Sequence, residues 1–188
     1  MFEVLLKTQF LFLGVKLFLF WTERSDENLQ VADSGSKSSN NTDEWSLELD
    51  SYHMVTQKFN TLPTIDGFAS FDNAKCPAYF SKLPEAEAAG TDFFHQKLLT
   101  SEIYFICPPI VNIIRAWRKV IQTPNLTVIF CCPFWRSHTF YSEFLETDQY
   151  KPCVKDHLIF KASFVSKSDS CMFNGSTNFE MLALLIQT

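Results

Sequence analysis

Two short stretches carry side chains whose type and spacing could do chemistry. In Cys107-Pro108-Pro109-Ile110 a thiol and the carbonyls of two consecutive prolines follow the short apolar run Ile103 to Ile106. Prolines supply no backbone donor, and they force the residue before them into an extended conformation, so the run must end as a strand at that turn. The second stretch is Asp66-Gly67-Phe68-Ala69-Ser70, where a carboxylate and a hydroxyl follow another short run. In open α/β sheets, ligands bind at the carboxyl ends of the strands, which is where both stretches fall. Beyond the prolines, Arg115, Trp117, Arg118 and Lys119 with Arg136 give a small basic, aromatic patch able to touch phosphate; the solvated face of an amphipathic helix explains the helical residues equally.

Other chemistries find less support. His53, His95, His138 and His157 are scattered, with no i, i+4 pair and no Cys/His metal spacing. Cys76, Cys107, Cys131, Cys132, Cys153 and Cys171 contain no C-x-x-C pair. Cys131 and Cys132 lie in an apolar strand-like run, where successive side chains point to opposite faces, so buried free thiols are expected. Only 5 glycines accompany 20 phenylalanines, and no glycine-rich phosphate loop occurs. A net charge of -5 leaves no general electrostatic footprint for nucleic acid, so any such contact must be local.

The elements that would position these residues read as alternating strands and helices. Ile103 to Ile106 is a strand, and Val111, Ile114, Trp117 and Ile121 give the apolar face of a following helix. Asn125 to Pro133 is a second apolar strand, and a helix is expected from Trp135 to Leu145. Leu158 to Val165 and Glu180 to Ile186 close the chain as strands. Upstream, a helical pattern opens at Asp43-Glu44 and ends before Pro63, using Leu49, Tyr52, Met54, Val55 and Phe59; Ile65-Asp66 reads as strand and turn. Phe71 to Ser81 reads as irregular and Pro84 to His95 as a polar loop. Continuously apolar strands between helices predict a mainly parallel sheet covered on both faces.

Met1 to Trp21 is rich in Phe and Leu, but Glu3 and Lys16 interrupt it and no small-x-small cleavage site follows. Its apolar run is short of the ~20 residues a membrane span needs. It reads instead as a short helix stopped at Gly14 and a strand ending at Trp21. A polar, Ser/Asn-rich stretch follows.

Two resemblances run along the chain in order. Trp21, Arg24, Asn28, Ala32-Asp33 and Ser36-Lys37 resemble the end of the ribonuclease H domain of retroelement polyproteins. That likeness implies that Asp33 is the last of four metal-holding carboxylates, and that the site is incomplete because the strands bearing the other three precede Met1. A single carboxylate cannot hold two cations for in-line phosphoryl displacement. Glu44-Trp45, then Asp66 with Ala69-Ser70, Asn73-Ala74-Lys75, Tyr79-Phe80, Cys107-Pro108-Pro109, Trp117 and Pro133, resembles the Dam-like DNA adenine-N6 methyltransferases. A degenerate copy of that domain follows ribonuclease H in DIRS-type tyrosine-recombinase retrotransposons, so the chain looks like a fragment of such a polyprotein. The resemblance implies a Rossmann-like methyltransferase-type sheet over 43–188, after a ribonuclease H remnant at 1–37 and a linker at 38–42.

It also implies roles. Cys107 to Ile110 would stand for the Asn/Asp-Pro-Pro-aromatic catalytic motif, and Asp66, Ala69 and Ser70 for the turn facing S-adenosylmethionine. In that family the Asp or Asn oxygen and the first proline's carbonyl hold the flipped adenine amino group, while the aromatic stacks on the base. A thiol is a weak acceptor and isoleucine has no π face, so an inactive enzyme is expected, with no cofactor unless the S-adenosylmethionine site is intact. The expected partners are DNA or RNA, and an intracellular place fits the unpaired thiols. The alternatives are a non-catalytic nucleic-acid or polyprotein interaction module, an active methyltransferase, and a small secreted or membrane-anchored protein.

Overall fold

The computed structural model describes residues 45–166 and 175–188. Asp33, Cys171, the Met1 to Trp21 segment and the linker lie outside these described residues. Strand β1 (Trp45–Leu47) leads into helix α1 (Leu49–Phe59), followed by β2 (Ile65–Asp66), β3 (Ala78–Ser81), β4 (Gly90–Thr91) and β5 (Ile103–Ile106). Helix α2 (Ile113–Gln122) connects β5 to β6 (Thr127–Pro133). A short helix α3 (Thr139–Ser142) and the small ribbon β7 (Leu145–Glu146) and β8 (Gln149–Tyr150) come next. Two long strands close the fold, β9 (Val154–Ser166) and β10 (Gly175–Gln187).

Eight strands form one sheet in the order β1-β9-β10-β6-β5-β2-β3-β4. From β4 to β6 all neighbours are parallel, whereas β10 runs antiparallel to both β6 and β9, and β1 runs antiparallel to β9. The chain is therefore mixed α/β with a mostly parallel sheet. β2 pairs with β3 on one side and with β5 on the other, so the winding reverses between β2 and β5. At such a reversal the loops leaving the two strands diverge and open a crevice at their carboxyl ends.

Alternation along the central strands separates two cores. Tyr104, Ile106, Val128, Phe130, Cys132, Leu182, Leu184 and Ile186 face α2, which buries Ile113, Ala116, Trp117 and Val120 against them. Phe105, Ile129, Cys131, Met181 and Ala183 face α1, which contributes Tyr52, Val55 and Phe59. Period-two strands covered on both faces must be apolar at every position, and β6 is buried at all but its first residue. Cys131 and Cys132 lie on opposite faces, as the alternation predicts, and the five described cysteines are free thiols.

Several expectations are corrected. Phe71 to Ser81 and Pro84 to His95 contain β3 and β4 and a single 3-10 turn at Phe93–His95. These strands are too short to show a period, and their ladder comes from the neighbouring strands. Trp135 to Leu145 forms only the one turn of α3, because aromatic, Ser, His and Thr side chains are weak helix formers. The pattern opening at Asp43-Glu44 begins with β1, and Leu49 and Met54 face solvent. In α2 the buried face is Ile113, Ala116, Trp117 and Val120, while Val111 is 83% exposed. A 3-10 turn at Ile110–Asn112 precedes α2, and its tighter winding shifts the phase from the one read from Val111. The two closing strands are antiparallel and longer than the apolar runs that marked them.

Candidate functional site

The predicted residues meet at the carboxyl ends of β2 and β5. Asp66 pairs in register with Phe105, and the Gly67 amide donates to the Phe105 carbonyl at 2.9 Å, carrying the ladder one residue past β2. Cys107 lies two residues beyond Phe105. Gly67 is required by close approach: a Cβ there would overlap Ile106 Cδ1 and lie 3.1 Å from Phe93.

Asp66 is only 3% exposed. Its Oδ1 accepts the Phe68 amide at 3.2 Å, and its Oδ2 accepts the Lys75 amide at 3.1 Å. The carboxylate thus ties the turn after β2 to the loop entering β3. Burial pushes its pKa up to about 6, against the pull of these two amides and of the Lys75 ammonium. Ala69 is buried, and its amide donates to the Phe80 carbonyl at 3.2 Å. Ser70 closes the turn, its amide donating to Asn73 Oδ1 at 2.8 Å and its carbonyl accepting from the Asn73 and Ala74 amides.

Three further residues join this cluster that the sequence reading left without a role. Lys75 Nζ donates to the Asn73 carbonyl at 2.7 Å and to Ser46 Oγ at 3.4 Å, and burial lowers its pKa. Cys76 Sγ lies 3.7 Å from the Tyr52 hydroxyl. Burial, helped by the Asp66 carboxylate, pushes the Cys76 thiol up to about 12. Burial and the neighbouring Cys76 also raise the Tyr52 hydroxyl. Asn73-Ala74-Lys75 could have pointed to Lys75. Tyr52 comes from α1 on the other side of the chain, and no local spacing marks it.

The Cys107 to Ile110 turn is built from apolar packing. Cys107 packs against the α1-side core, and burial holds its thiol well above the usual range, with Cys131 and Asp66 adding to the effect. Such a thiol stays protonated near neutrality, which removes its nucleophilicity. Pro108 is buried, and the Pro109 carbonyl accepts the Asn112 amide at 2.8 Å. Ile110 packs against both cores.

Arg115, Arg118 and Lys119 are not part of this site. They lie on the flank of α2 beside the segment Phe94 to Leu98. Among the described residues, no group of three or more His, Cys, Asp and Glu side chains could hold a metal ion, and no helix is long and apolar enough to cross a membrane. Neither any protein-family model nor any curated protein matches the chain in sequence.

Proposed function

We propose that the described domain is a methyltransferase-type fold that no longer transfers methyl groups, derived from the Dam-like domain of a DIRS-type retrotransposon polyprotein. The observation that carries this reading is the chemistry at the switch point between β2 and β5. At the position of the catalytic acceptor stands Cys107, a half-buried thiol packed against the core with its pKa raised by burial, and at the position of the stacking aromatic stands Ile110. The strand order supports the fold half of the reading. Counted outward from the switch point, β4-β3-β2-β5-β6 follows the doubly wound order 3-2-1-4-5. The last strand, β10, is inserted antiparallel between β6 and β9.

The residues present do not fit S-adenosylmethionine. Both oxygens of Asp66 are engaged by the chain's own amides, and the space at Gly67 is filled by Ile106 and Phe93. The Ser70 amide and carbonyl are likewise spent on their own turn. No catalytic step is therefore assigned to these residues. A lost stacking contact alone is worth about 1–3 kcal/mol per base, and each ~1.4 kcal/mol is tenfold in rate.

The test is methyl transfer from radiolabelled S-adenosylmethionine to adenine-containing DNA, using the full chain and its Cys107→Asn/Ile110→Tyr double variant. Neither protein is expected to label DNA above background, because restoring the acceptor and the aromatic leaves the Asp66 turn closed. Labelling by the unaltered chain contradicts the loss of chemistry. Labelling by the double variant alone contradicts the closed cofactor turn.

A further inference from the structure

Helix α2 packs Ile113, Ala116, Trp117 and Val120 on the sheet, and its other flank faces the segment Phe94 to Leu98 across an open groove of about 720 Å³. That volume lies in the range of ligand-binding clefts. Four cations, Lys97, Arg115, Arg118 and Lys119, line the groove and no carboxylate does, in a chain whose net charge is -5. Two carboxylates outside the lining offset part of this charge, Glu143 on Arg118 and Asp92 toward Arg115 and Lys119.

The four cations have different tasks. Lys119 Nζ donates to the carbonyls of Phe94 and Gln96 at 2.9 and 2.6 Å, which clamps the segment to the helix and shapes the groove wall. Arg118 shares its charge with Glu143 at 2.6 Å but remains largely exposed. Lys97 is exposed. Arg115 lies flat enough on Phe94 to bring its guanidinium carbon 3.8 Å from the ring centroid, and Arg115 is exposed. A guanidinium held on a ring is a pre-ordered plane on which a base can stack. Ile114, Leu98 and the exposed Val111 add apolar walls beside it.

From this geometry we infer that the groove between α2 and Phe94 to Leu98 holds a short stretch of single-stranded nucleic acid, with a base stacked on Arg115 and phosphates at Lys97 and Arg118. A single strand offers both a charged backbone and unstacked bases, and the groove has a partner for each. An acidic peptide would use only the charges. Arg115, Arg118 and Gln122 follow one another along the helix over about 10 Å, enough to track a backbone past more than one phosphate. The inference uses none of the residues at the β2 and β5 ends, so it stands or falls apart from the methyl-transfer reading.

The experiment is fluorescence anisotropy of labelled single-stranded DNA and RNA oligonucleotides of one sequence titrated with the full chain across a range of salt. Saturable binding is expected, with log K falling against log salt at a slope of about -1.4, two neutralised phosphates at ~0.7 each. Lys97→Glu/Arg115→Glu is expected to weaken binding by about tenfold or more, through the lost base stack and one lost phosphate contact, and to flatten the slope by about 0.7. Lys161→Glu, exposed on β9 away from the groove, should leave binding within about twofold, since removing a charge far from the contact acts only through screened long-range fields. Both groove side chains are exposed, and a melt followed by circular dichroism checks that the fold is kept. If that melt shifts, Lys97→Gln/Arg115→Gln gives the same comparison without introducing negative charge. Absence of binding at low salt overturns the inference, as does equal weakening by the groove and β9 variants. Displacement of the oligonucleotide by polyglutamate at equal charge also overturns it, in favour of an acidic peptide.

Discussion

Asp66 is a carboxylate held for its shape more than for its charge. Its two amide bonds fix the turn, yet burial raises its pKa from 3.8 to about 6. An acid weaker in the folded than in the unfolded chain keeps a proton that the unfolded chain has released. Its contribution to stability is therefore lost as pH rises from about 4 to about 6. Replacing it with Asn removes this dependence while keeping one amide acceptor. Urea unfolding from pH 4 to pH 7 should show Asp66→Asn gaining up to about 3 kcal/mol on the unaltered chain; parallel pH profiles for the two proteins would refute the assignment. Asp66 was visible in the sequence as a polar residue ending a short apolar run. Its environment was not, because Lys75 arrives nine residues later and Tyr52 fourteen residues earlier, through contacts that only the assembled sheet creates.

Among the elements, α2 is where sequence and structure agree in kind and differ in phase. The Pro-Pro turn and the helix after it were legible because proline restrictions are local. Which face was buried was not, because the 3-10 turn at Ile110–Asn112 resets the register. Trp117 belongs to the buried face under either phase, and it is the helix's main anchor, edge-on to Phe130 at 5.9 Å and Phe144 at 4.8 Å. Among the described residues its buried indole N–H meets no hydrogen-bond partner. Trp117→Ala should cost about 3–5 kcal/mol through lost contacts and a cavity. Trp117→Phe keeps an aromatic ring and removes the unpaired N–H, so it should cost clearly less. Denaturant titration separates the two: equal losses would mean that neither the retained ring nor the removed N–H recovers any stability, against this expectation.

At the scale of the whole molecule, the continuously apolar strands β5 and β6 announced a sheet covered on both faces, and the two cores confirm it. The outer strands gave no such signal. β3 and β4 are short strands whose pairing depends on β2, and the antiparallel pairing of β9 and β10 cannot be told from parallel pairing by hydropathy alone. The topology nonetheless brings Asp66 and Cys107 to adjacent strand ends, the place where a doubly wound sheet holds its ligand. Those strand ends are packed with the chain's own side chains and amides. Titrating S-adenosylmethionine into the full chain by calorimetry, on a sample shown to unfold cooperatively, tests it most directly. No saturable heat is expected; a one-site isotherm with a micromolar Kd would overturn the closed strand ends and mean that the Asp66 turn opens to take the cofactor.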